Sequence, residues 1–188
     1  MVLKFIVPGI FFLHLAFKIT KNKMNHCPCN RLFILFCSMY NRQEAAAIRR
    51  KFWTTLGLYL KPIPSAWHPK VNWLNYKTGV KDVYFRMHAD NQMATIGIEL
   101  NHTDAFIRQI YFDHFIAMKT MLHEALGEVW IWQQEGFDEW GKPFSAIYTQ
   151  LQPTNIMHEK HWPDLIGFFK PRLIALDSFW ADVKDSME

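Results

Sequence analysis

From Arg42 to Leu60 apolar residues recur at helical spacing, with Ala45, Ile48, Phe52, Leu56 and Tyr59 on one stripe, and Pro62 stops the run. This pattern predicts an amphipathic first helix. Asn41 and Glu44 have the spacing of a capping box, which puts the helix start there, close behind Met39. Pro62, Pro64 and Pro69 make the next stretch an extended loop. Lys70 to Lys77 then reads as a strand, and Thr78-Gly79 as a tight turn into a second strand from Val80 to His88. In that strand Val83, Phe85 and Met87 oppose Asp82, Tyr84 and Arg86. After a turn over Ala89 to Asn91, a third strand from Gln92 to Leu100 sets Ala94, Ile96, Ile98 and Leu100 against Thr95, Gly97 and Glu99.

Thr103 and Asp104 are placed to cap a long helix with the stripe Ile107, Tyr111, Phe115, Met118 and Leu122, and Gly127 is its C-terminal stop. Glu128 to Glu135 is apolar on both faces, Val129 and Ile131 opposed to Trp130 and Trp132, which predicts an interior strand. Phe137 to Lys142 reads as a loop and Pro143 to Leu151 as another strand. A final helix spans about Glu159 to Lys184, with Pro163 near its first turn and Pro171 as a kink or break. The order of helix, three-strand antiparallel meander, long helix, two further strands and kinked C-terminal helix defines an α+β domain.

Composition divides the chain near Met39. Residues 1–38 hold all three cysteines (Cys27, Cys29, Cys37), five basic residues and no acidic one. Removing them turns the overall charge of +4 into 16 basic against 17 acidic residues, so the 39–188 domain carries a net charge of −1. Such a balance advertises no nucleic-acid surface, and any basic patch has to be local. The absence of cysteine after residue 38 fits a reducing cytoplasm. His26 and Cys27-Pro28-Cys29 lack the second ligand pair of a structural metal site.

Residues 5–17 form an apolar run interrupted by Pro8 and Gly9, short of the ~20 residues a spanning helix needs. Lysines follow it where a signal peptide turns polar and uncharged, and no small-x-small cleavage site is present. Three readings of 1–38 stay open: a membrane tether, a disordered tail, or a misassigned start with synthesis beginning at Met39. The third is the expectation, because charge, cysteines and capping signal all change together.

Chemistry concentrates on the second and third strands. A hairpin closed over Ala89 to Asn91 pairs Asp82 with Glu99 and Arg86 with Thr95, putting both carboxylates beside Tyr84 on one side. Two neighbouring acids repel unless a proton, a cation or an arginine intervenes. A Mg ion is one such cation, and it would activate water against a phosphodiester. The element order resembles the core of the restriction-endonuclease-like nucleases, which carry an acid on the second strand and an E-x-K-type motif on the third. Asp82 and Glu99-Leu100-Asn101 occupy the corresponding places, with Asn101 where the lysine would stand and Arg108 or Lys119 as substitutes. This assigns Asp82, Glu99 and Asn101 as candidate catalytic residues, Asp82 and Glu99 as metal ligands, and Tyr84, Arg86 and Arg108 as binding residues. The competing reading is a salt-bridged sheet face, since Arg86 lies one diagonal step from Glu99. His102 is a ligand, a base or a cap; no H-E-x-x-H, G-x-S-x-G or phosphate loop occurs. Trp53, Trp130, Trp132 and Trp180 sit at core-periodic positions.

The strings Phe52-Trp53, Ile63-Pro64-Ser65, Trp73 to Gly79 (WLNYKTG), Ile96 to Leu100 (IGIEL) and Phe168 to Trp180 (FFKPRLIALDSFW) resemble the bacterial domain-of-unknown-function family numbered 4268, over about Met39 to Val183. In other proteins this family resembles a module attached to nuclease-like or DNA-modification regions, so the resemblance implies nucleic-acid work by association and transfers no site residue. The expectation is a cytoplasmic domain, a degenerate nuclease-like fold that binds nucleic acid or a protein partner. A metal-dependent nuclease and a structural interaction module are the alternatives.

Overall fold

The first helix, α1 (Asn30–Leu60), forms over a run with no proline and with Gly57 as its lone glycine. The computed structural model describes residues 30–67 and 70–187, of which 30–40 are described by backbone only. The apolar run at 5–17 and Cys27-Pro28-Cys29 lie outside the described residues. The chain divides into two compact units, Met1–Ala46 and Ala47–Glu188. Asn41 and Glu44 do not open the helix, which begins at Asn30; their capping-box spacing is overridden because no proline or glycine lies between residues 30 and 41. In the second unit Phe52, Leu56 and Leu60 are buried, whereas Tyr59 stands exposed in place of ending the stripe. Among the described residues no helix is long and apolar enough to cross a membrane.

The domain is α+β. Its four strands, β1 (Val83–Ala89), β2 (Ala94–Leu100), β3 (Ile131–Phe137) and β4 (Pro143–Leu151), form one antiparallel sheet in the order β1-β2-β4-β3. No strand forms over Lys70 to Lys77, so the expected three-strand meander is a two-strand hairpin. Asn72 decides this locally: its side-chain oxygen accepts from the amides of Leu74 and Asn75 and winds Trp73–Asn75 into a 3-10 turn. The strand reading for Glu128 to Glu135 also shifts, since β3 lies at an edge. Its double-sided apolarity has two separate causes. Trp130, ahead of the strand, is buried, and Trp132 packs edge-on against Phe112 and His123. Ile131 and Val129 remain exposed.

The long helix is two, α2 (Ala105–Ala117) and α3 (Lys119–Leu126), broken at Met118, whose amide donates to both His114 O and Phe115 O. Gly127 ends α3 at φ 67°, the left-handed conformation a glycine adopts without strain. The closing helix α4 (Trp162–Val183) carries Pro163 at its start and is kinked around Pro171. One sheet face, with Phe85, Ile98, Ile147 and Trp132 in register across it, meets the helices. There Trp180 of α4 lies edge-on to Phe85 and stacks with Phe115.

Glu128 ties α4 to the start of β3. Arg172 donates to both its oxygens, at 2.7 and 2.6 Å, and the Trp130 indole adds a third bond at 2.7 Å. Burial on its own would raise the Glu128 carboxyl, but Arg172 and Trp130 outweigh it and hold the group below the usual glutamate range. A depressed folded value means stabilisation that is present above the unfolded value and lost as pH falls through the folded one. Glu128→Gln is therefore expected to cost about 1–2 kcal/mol at neutral pH, discounted for partial exposure, with the deficit shrinking below the glutamate range. Urea midpoints of both proteins across acidic pH measure this; a deficit independent of pH would refute it.

Candidate functional site

The β1–β2 hairpin sets the register on which the sequence reading depended. Asp90 Oδ1 accepts from the amides of Gln92 and Met93, at 2.7 and 2.9 Å, and Ala89 pairs with Ala94 across the turn. Glu99 consequently faces Tyr84, and Thr95 faces His88. The expected pairings of Asp82 with Glu99 and of Arg86 with Thr95 are corrected by two residues. A shift of two leaves every side chain on its own face, so Tyr84, Arg86 and Glu99 still share one surface.

Asp82 falls outside the strand, at φ 61°, where its carbonyl accepts from Asn101 N at 2.9 Å. Its carboxylate lies 3.8 Å from His102 Nε2, while His102 Nδ1 accepts from Asp104 N at 3.0 Å, so the imidazole closes the turn that leads into α2. Glu99 Oε2 lies 3.5 Å from Arg86 Nε and accepts from Asn101 Nδ2 at 3.3 Å. Arg86 itself lies over the Tyr84 ring, 4.6 Å from its centre. Arg108 is buried, and its guanidinium donates to His102 O at 2.8 Å, which turns it inward toward the chain. Lys119 sits over Trp132, 5.1 Å from the ring centre. The structure thus brings Tyr84, Arg86, Glu99 and Asn101 together and places Asp82, His102 and Arg108 around the adjoining turn. Among the described residues no group of three or more His, Cys, Asp or Glu side chains is arranged to hold a metal ion.

The sheet face that carries these residues is turned away from the helices. Successive rows across it read Tyr84, Glu99, Ala146, Gln133 and then Arg86, Gly97, Tyr148, Ile131. A slot of about 170 Å³ opens over Gly97 and Ala146, walled by Phe144 and Tyr148 and reached by Arg86, Glu99 and Gln133. Beside β1 lies a second hollow, about 340 Å³, lined by Trp53, Tyr84, Arg86 and Lys77. It shares Asn75 and Lys77 with a third, about 430 Å³, where Trp67 and Lys70 stand. Among the described residues lining these last two hollows there is no carboxylate. Lys77, Phe144, Tyr148 and Gln133 are invisible as site residues in the sequence. The isolated Gly97 within a strand pattern is the one signal pointing there.

The model of a family described as Domain of unknown function (DUF4268) matches residues 48–184, and the chain belongs to that family. No curated protein and no solved structure matches the chain.

Proposed function

We propose that this member of the family is a non-catalytic nucleic-acid-binding domain acting in the cytoplasm. The observation that supports it most is the pair of adjoining hollows beside β1, whose described lining includes Lys70, Lys77 and Arg86 together with Trp67, Trp53 and Tyr84 and no carboxylate. Spaced cations follow a phosphate backbone, and aromatic faces between them accept bases. The near-neutral domain charge is compatible with this, because a phosphate-following surface needs only a local group of cations such as Lys70, Lys77 and Arg86. The cysteine-free 39–188 region supports the cytoplasmic assignment.

Metal-dependent phosphodiester hydrolysis by Asp82 and Glu99 gains no support from the geometry. The Glu99 carboxylate faces a guanidinium and an amide, and Asp82 faces an imidazole. Retention of the full chain on immobilised DNA or RNA tests the binding reading. Binding is expected to weaken steeply with salt, and Lys77→Gln to weaken it across sequences while reducing the salt slope by about 1. Retention indifferent to salt, or none at low salt, would overturn the proposal.

A further inference from the structure

We infer that the slot over Gly97 takes one unpaired nucleobase, so that the nucleic acid bound is a single strand; this rests on the binding reading above. Every residue that lines the slot belongs to a strand, so it is a depression in the sheet face itself. Gly97 and Ala146, the smallest side chains of the lining, form its floor. A Cβ on Gly97 would lie 2.6 Å from Ile147 O and 2.6 Å from Tyr148 Cβ, so only glycine allows β2 and β4 to pair there undistorted. At about 170 Å³ the space is below the ~300–1,000 Å³ of pockets for drug-sized ligands and suits a single planar ring system.

The walls match a base in chemistry as well as size. Phe144 and Tyr148 line it with aromatic side chains; Glu99, which accepts from Asn101 through one oxygen, and Gln133, whose amide nitrogen donates to Glu135 O at 3.2 Å, keep further acceptor and donor capacity for a hydrogen-bonding edge. The Glu99 carboxylate repels phosphate from the slot, which keeps the backbone outside. Arg86 lines both the slot and the neighbouring basic hollow. A strand following Lys70, Lys77 and Arg86 therefore arrives at the slot with its phosphates on cations and one base free to turn in. Bases stacked and paired within a duplex present no face to such a depression.

Fluorescence anisotropy with the full chain, one labelled mixed-sequence oligonucleotide and its duplex form tests this. The single strand is expected to bind at least about tenfold more tightly at equal salt, and Tyr148→Ala to lose about tenfold on the single strand with little change on the duplex. Tyr148→Phe should restore binding, because the ring face carries the interaction. Should Tyr148→Ala fail to fold by thermal melting, Gln133→Ala is expected to weaken the single strand several-fold. Equal affinity for both forms, or variants without effect, would overturn the slot and leave the salt-dependent reading standing. Failure to bind either form would remove both. Millimolar free AMP should not displace the oligonucleotide; displacement at micromolar levels would make this a mononucleotide site and overturn the single-strand inference.

Discussion

Replacing Asp177 with alanine is expected to destabilise the domain by about 4 kcal/mol, enough to unfold much of the protein near physiological temperature. Asp177 sits on α4 at 2% exposure and accepts three hydrogen bonds, from Ser65 Oγ at 2.6 Å, Ala66 N at 2.6 Å and Tyr76 Oη at 2.7 Å. All three donors come from the segment between α1 and β1, whose described residues include no strand or long helix, so one buried carboxylate organises it. Alanine removes the acceptor these donors share; the Tyr76 bond is buried and the other two are part-buried, and each lost bond to the carboxylate costs about 1–3 kcal/mol. Burial, and then the Asp177 bond and charge, push the Tyr76 phenol far above its ordinary range, so it stays a donor at every working pH. Asp177→Asn keeps the shape but turns an amide donor toward donors, and is expected to lose about 2 kcal/mol. Tyr76→Phe, which removes one donor cleanly, should lose about 1 kcal/mol. Urea unfolding of the four proteins orders these effects; an alanine variant within 1 kcal/mol of the parent would mean, at roughly the net value of one hydrogen bond, that the segment is held by something else.

Trp180→Ala should cost about as much, roughly 4–5 kcal/mol, by a different route. The indole is fully buried, lies 5.6 Å from Phe85 and 6.4 Å from Phe115 between ring centres, and donates to Thr78 O at 2.8 Å. Alanine opens a cavity where the sheet meets α2 and α4, and it orphans a carbonyl in the turn before β1. Trp180→Phe keeps most of the volume and is expected to lose about half as much. Because residues 177 and 180 lie on neighbouring turns of α4 and both anchor the 63–78 segment, the double variant should lose less than the sum of the singles. Strict additivity in a double-mutant cycle would separate the two anchors. The same segment supplies Asn75, Tyr76 and Lys77 to the basic hollow, so weakened anchoring should also weaken nucleic-acid binding.

Much of this architecture was legible from local pattern. The alternation of Val83, Phe85 and Ala94 to Leu100 named the buried faces of β1 and β2, and Pro143 to Leu151 marked β4 from end to end, because a half-buried strand has to alternate. Gly127 and Asp104 marked helix ends through their own backbone chemistry. The Tyr84, Arg86 and Glu99 cluster was legible for the same reason, since alternation survives an error of two residues. The exact pairing was not, because the Asp90 turn that sets it competes with other closures over the same four residues. Met118 shows the limit most clearly: it is an ordinary helix former, and nothing in its local sequence marks the break at φ -98° and ψ 10° that separates α2 from α3.

The linear order of apolar and polar positions determined that this chain is α+β, which strand faces are buried, and where most elements begin and stop, since each depends on contacts within a few residues. Strand order, the edge position of β3, the inward turn of Arg108 and the grouping of Lys77, Arg86 and the Gly97 slot were decided by the tertiary structure. They join residues up to about seventy positions apart, and no local periodicity constrains which distant segments meet.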